Sequence, residues 1–207
     1  MQRSFRVRLV AVTVLVLALS GASVPSVAAA GPYWQQTGSH CFARWYAKNG
    51  AGQNTGWMDT CYRLHKLMSD GDSTYDHYTI TAYATVDATR EHWQGDYAWI
   101  HVNRSSGPTF LWEDWDPRTD KSGSCGDVTL SISGGGVGLS YGTSICETWS
   151  VTKGAAGGDL KVQWNGNSAG AREVALMSAI KVPNGASAPV WGISWYYKTF
   201  CGVSRYC

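Results

Sequence analysis

The segment from Cys125 to Cys146 reads CGDVTLSISGGGVGLSYGTSIC. Three consecutive glycines, Gly134 to Gly136, separate two runs in which apolar and polar residues alternate. Side chains of a strand point to opposite faces in turn, so a four-residue turn over Gly134–Val137 fixes one register. Ile132 then faces Leu139, Leu130 faces Tyr141 and Val128 faces Thr143, all on one apolar face. Thr129, Ser131, Ser140 and Gly142 fall on the other. The same register sets Cys125 opposite Cys146. Alternation and cysteine placement are independent signals, and both select the same hairpin, clamped at its open end by a disulfide.

The hairpin decides the meaning of GLSYG, Gly138 to Gly142. The pattern fits G-x-S-x-G, but a nucleophile elbow needs a strand, a sharp turn and a helix, with the serine at the apex. Ser140 is expected in mid-strand on the polar face, with no helix after it. It reads as a solvated strand serine.

Cysteines stand at 41, 61, 125, 146, 201 and 207. An even count in an exported chain reads as a disulfide framework, and pairing of sequence neighbours gives Cys41–Cys61, Cys125–Cys146 and Cys201–Cys207. No Cys-x-x-Cys occurs, which argues against a zinc ribbon or a dithiol redox site. Export is expected from residues 1–30. Arg3, Arg6 and Arg8 precede an apolar run, Leu9–Gly21, and small residues follow up to Ala30. That is the layout of a secretory signal peptide, and the run is short for a membrane span. Residues 31–207 are then one secreted, extracellular domain. Losing the three arginines turns a formal charge of +2 into −1. No basic field is left to hold nucleic acid or an anionic membrane, and a monomer is expected.

The mature segment reads as all-β. Short runs rich in Thr, Val, Ile, Tyr and Trp are separated by Gly, Asn, Asp and Ser. Tyr78, Ile80, Ala82, Ala84 and Val86 share one side of a strand, with Thr79, Thr81, Tyr83 and Thr85 on the other. Ala98, Ile100 and Val102 oppose Tyr97, Trp99 and His101. Leu160, Val162 and Trp164 oppose Lys161 and Gln163. Trp191, Ile193, Trp195 and Tyr197 oppose Gly192, Ser194, Tyr196 and Lys198. Residues 57–68 fit a helical stripe or a strand, and the Asp-Gly turn after them favours the strand. Residues 172–182 are ambiguous between strand and helix. The expected fold is an antiparallel two-sheet β-sandwich held by disulfides, with a closed β-barrel as the alternative.

Four constellations bear on chemistry. Asp70, Asp72 and Asp76 stand at loop positions one, three and seven, a weak calcium pattern that lacks the glycine and glutamate of an EF-hand; otherwise no cofactor is indicated. In FLWEDWDPRTD, Trp112 and Trp115 stand among Glu113, Asp114, Asp116 and Asp120, a mixture suited to sugar rings and hydroxyls. Three residues apart, the two indoles fall on opposite faces of a straight strand and act together only if the chain turns near Asp114. Glycoside hydrolysis would draw on Glu91, Glu113 and Asp114, since it needs two converging carboxyl groups. The histidines at 40, 65, 77, 92 and 101 lack zinc-ligand spacing. Finally, if the strand at 75–86 pairs with the strand at 97–103, Tyr75, His77, Tyr83, Tyr97, Trp99 and His101 make one aromatic, threonine-rich platform. A second sheet laid over that face would make it core instead. Asn103-Arg104-Ser105 is a glycosylation sequon.

The expectation for function is an extracellular module that binds polysaccharide or cell-wall glycan. Tyr83, Trp99, His101, Trp112 and Trp115 are its candidate contacts, and no catalytic residue is assigned. A protein-binding domain, inhibitor-like or adhesin-like, is the second class, and a carboxylate-dependent glycan hydrolase the third.

Overall fold

The computed structural model describes residues 31–154 and 159–202. The expected signal peptide and Cys207, with the pairing drawn to it, lie outside the described residues. In chain order the strands are β1 (Tyr33–Cys41), β2 (Trp45–Lys48), β3 (Asn54–Met68), β4 (Tyr75–Asp87), β5 (Trp93–Ser106), β6 (Leu111–Asp116), β7 (Lys121–Gly134), β8 (Val137–Lys153), β9 (Leu160–Ser168), β10 (Arg172–Pro183) and β11 (Val190–Cys201). Among the described residues there is no helix. Residues 57–68 and 172–182 are both strand, and β10 defeats the period-two test because it is buried on both faces from Val174 to Ile180.

Two antiparallel sheets form, and neither closes into a barrel. The first runs β1-β3-β4-β10-β6, with β2 also on β3; the second runs β11-β5-β9-β8-β7. Their inner faces make the core. Met58, Ile80, Ala82, Ala84, Val86, Val174 and Leu176 from the first sheet meet Ala98, Ile100, Val102, Leu160, Val162 and Trp164 from the second. The sets from β4, β5 and β9 are those that alternation had placed on one side of each strand.

β4 and β5 do not pair, contrary to the expectation of a shared platform. β4 lies between β3 and β10 in one sheet, β5 between β11 and β9 in the other. Side by side, their two aliphatic rows would form one wide face still needing a cover. Stacked face to face, each row covers the other.

The hairpin of β7 and β8 has the predicted register from Gly126 to the turn, with Val128, Leu130 and Ile132 opposite Thr143, Tyr141 and Leu139. Gly135 and Gly136 carry φ of 55° and 79°, the left-handed pair that a tight hairpin turn demands. Cys125 is the extra residue of a bulge between Ser124 and Gly126, and it is joined to Cys146. Cys125 and Glu147 both have φ of 64°, so the ribbon bends at the disulfide. On one side of the bend, β8 pairs with β9 from Thr148 to Lys153. On the other, the hairpin folds back as an arm across the outer face of the first sheet. There Tyr141 stacks on Tyr83 with centroids 5.2 Å apart, and Leu130 and Ile132 join the core.

Ser140 sits on the solvent side of the arm, as expected. It pairs with Ser131, and the two hydroxyls lie 3.2 Å apart. A second disulfide joins Cys41 to Cys61, which face each other across β1 and β3.

Candidate functional site

The outer face of the second sheet is not covered by the arm. Registers between β11, β5, β9 and β8 align its outward side chains into three rungs that cross the strands. One rung holds Ser194, His101, Lys161 and Thr152. The middle one holds Tyr196, Trp99, Gln163 and Ser150. The third holds Lys198, Tyr97, Asn165 and Thr148. Aromatic rings therefore occupy one half of the face, and amides and hydroxyls the other.

Ring contacts hold the aromatic half together. Tyr196 stacks on Trp99 at 6.2 Å with planes 25° apart, and lies 5.8 Å from Tyr97. Trp45, on β2, reaches Tyr196 across the gap between the sheets, with centroids 5.9 Å apart. Tyr196 is 39% exposed and Trp45 37%. Beside them a groove of about 420 Å³ runs between β2 and β11, lined by Trp45, Tyr46, Lys48, Tyr196 and Lys198. In the polar half, Gln163 Nε2 donates to Asn165 Oδ1 (2.6 Å) and Asn165 Nδ2 donates to Ser150 Oγ (3.0 Å). The amides are thus held in fixed orientation.

Charge is distributed unevenly. Lys198 Nζ pairs with Asp96 at 2.7 Å, and hydrogen bonding to that carboxylate raises its pKa. His101 Nε2 lies 3.7 Å from Asp159. Lys161 Nζ stands 4.8 Å from the centre of the Trp99 ring.

The five expected contact residues fall on three surfaces. Trp99 and His101 stand together on this face. Tyr83 lies on the opposite side of the molecule, beneath the arm, with the Arg63 guanidinium 5.6 Å over its ring. Trp112 and Trp115 share one side of β6, because a bulge leaves Glu113 extra and pairs the two indoles with Ile180 and Ser178 of β10. Both pack against the core from its edge, with Lys153 Nζ 4.3 Å over Trp115. Tyr196, Gln163, Asn165, Lys161 and Trp45 complete the face, and sequence reasoning did not single them out. Alternation had put Tyr196 on the polar side of its strand, but nothing in the chain paired that strand with β5.

The acidic residues of β6 are structural. Asp114 accepts the Ser133 amide (2.9 Å), Asp116 accepts the Ser131 amide (2.8 Å), and Glu113 accepts the Gly135 amide (3.4 Å). They stand in for main-chain carbonyls and bind the arm to β6. Glu113 also holds His77 Nδ1 at 2.7 Å, and Asp72 lies 3.2 Å from His77 Nε2. Asp70 and Asp72 accept backbone amides of their own turn. Those amide bonds keep the Asp72 carboxyl below its usual range. Asp76 is taken by Lys66 at 2.8 Å. Among the described residues no group of three or more His, Cys, Asp or Glu side chains is arranged to hold a metal ion, and no helix is long and apolar enough to cross a membrane.

No family model matches the chain. No curated protein is significantly similar to it.

Proposed function

We propose that this is an exported glycan-binding module whose ligand lies on the outer face of the second sheet. The observation behind this reading is the division of that face. Tyr97, Trp99 and Tyr196 offer ring surface for the apolar faces of sugar rings, and Gln163, Asn165, Ser150, Thr148 and Thr152 offer donors and acceptors for their hydroxyls. Aromatic rings supply contact area at low conformational cost, and pre-oriented amides lose little on binding. Two disulfides suit an extracellular setting.

Hydrolysis is the weaker reading. Glu113 and Asp114 are spent on arm amides, and Glu91 is 88% exposed beside His92. A protein partner is the competing reading, since Tyr and Trp also anchor protein interfaces.

The test is pull-down on insoluble chitin, cellulose, xylan and peptidoglycan, with tryptophan fluorescence giving the affinity. The expected outcome is retention on at least one of them, with Trp99→Ala costing about 2 kcal/mol, roughly thirtyfold. Retention unchanged by Trp99→Ala and by Tyr196→Ala would move the site elsewhere. Failure on every glycan would leave protein recognition as the better account.

A further inference from the structure

Resting on that reading, the same face carries information about the charge of its ligand. The line of rings crosses three strands in spatial order: Trp99 on β5, Tyr196 on β11, and Trp45 on β2, with Lys161 on β9 at one end and Lys48 of β2 in the groove at the other. The basic side chains along it differ in their partners. Lys198 and His101 have carboxylates within 4 Å, Asp96 and Asp159. Lys161 and Lys48 have no carboxylate partner among the described residues. The Lys161 ammonium instead rests over the Trp99 ring, 4.8 Å from its centre.

A neutral sugar has no use for that arrangement. To stack on Trp99 it must displace the ammonium from the ring face, giving up a cation–π contact and offering only a hydroxyl in return. A sugar bearing a carboxylate displaces the same ammonium and then pairs with it, a charge-assisted bond stronger than one between neutral groups. Lys48 would meet a second acidic unit further along the chain, in the groove beside Trp45.

We infer that the ligand is an acidic polysaccharide of the uronate type. It lies across the strands from β9 toward β2, with a carboxylate on Lys161 and a sugar face on Trp99.

The experiment compares polygalacturonate, alginate and hyaluronate with the same polymers after their carboxyl groups are reduced to alcohols, alongside neutral xylan, cellulose and chitin. Affinity electrophoresis at low and at physiological salt gives the dissociation constants. At least one acidic polymer should bind roughly tenfold or more tightly than its reduced form. Lys161→Gln should abolish that preference, weakening the acidic polymer while its reduced form, with no ammonium left to displace from Trp99, binds as well or better, and Trp99→Ala should weaken both. Equal binding of acidic and reduced polymers overturns the inference and leaves glycan binding standing. So does a preference that survives Lys161→Gln. An acidic preference indifferent to Trp99→Ala is ion exchange, and also overturns it. Absence of binding to every polymer, neutral ones included, defeats the glycan reading itself.

Discussion

On the outer face of β4 stand His77, Thr79, Thr81 and Tyr83; on the outer face of β5 stand Tyr97, Trp99 and His101. Both rows mix rings with hydrogen-bonding groups, and both back onto aliphatic core. The first row is sealed at His77, Thr79 and Thr81, which are 3%, 0% and 2% exposed, and partly covered at Tyr83. The second is half in water. The cause lies in neither strand, but in the arm of β7 and β8, which folds over one sheet and leaves the other bare. Burial forces the first row to satisfy its polar atoms internally. His77 does so on Glu113 and Asp72, and Thr79 Oγ1 lies 3.4 Å from His65. The second row keeps polar groups facing water, and these are the groups a ligand can use.

The largest effect should come from the arm. Leu130 is 2% exposed on its inner side. Leu130→Ala should cost about 2–5 kcal/mol in urea unfolding, the range for a buried leucine whose cavity does not collapse, and should leave glycan affinity unchanged. A cost under about 1 kcal/mol would mean that the arm rests loosely on the first sheet, and the contrast between the two faces would fail. Gly135 carries the same idea at the arm tip. A Cβ there would meet Leu67 Cδ2 at 2.5 Å, on a backbone with φ of 55°.

Much of this architecture is legible in the chain, and the limits have physical causes. Period-two patterning reveals which side of β4, β5, β9 and β11 faces the core, because each has one apolar side. The arm's register is legible from alternation about the glycine turn, whereas the cysteines mark the pairing but not the register, since a bulge puts Ser124 and not Cys125 opposite Cys146. Two disulfides follow from neighbour pairing. What patterning lacks is the third dimension. It cannot tell that β4 and β5 lie in different sheets, since antiparallel neighbours and facing strands show the same alternation. It cannot tell that Thr79 and Thr81 are buried, because the covering arm lies some fifty residues away in sequence, at Val128–Thr143. Tyr33–Lys48 gave no strand signal because β1 and most of β2 have both sides near solvent. The bulge that turns Trp112 and Trp115 to one side depends on β10. The proposed binding face was half legible: Trp99 and His101 came from one strand, whereas Tyr196, Gln163 and Lys161 needed the register between strands.

Alkali offers a second way to separate the two faces. Tyr141, on the inner side of the arm, has its pKa raised to about 12, first by burial and then by the nearby Glu173 and Tyr83. Below pH 10 the phenol is neutral folded or unfolded and costs nothing. Between about 10 and 12 the unfolded phenol loses its proton while the folded one keeps it, so unfolding releases a proton and stability falls as pH rises. Discounted for the half-exposed ring, the loss is about 1–2 kcal/mol. Thermal melts from pH 9 to 12 should show it, and Tyr141→Phe should flatten that part of the curve relative to the parent. An identical alkaline slope in the variant would mean that the phenol is already solvated, and the arm would not be a seal.

The smallest effect should be on the open face. Tyr196 touches Trp45, Trp99 and Tyr97, yet it remains exposed, and its backbone pairs with β5 whatever its side chain. Tyr196→Thr keeps a β-favouring residue and should change stability by about 0.5 kcal/mol, while lowering glycan affinity roughly tenfold or more. The two readouts must separate. A ring kept for packing would lose stability and affinity together, whereas Leu130→Ala loses stability alone. A ring kept for a ligand loses affinity while the fold barely notices. If urea unfolding shifts by more than about 2 kcal/mol, Tyr196 belongs to the core as surely as Leu130 does, and the second face would be a sealed surface with a thinner cover.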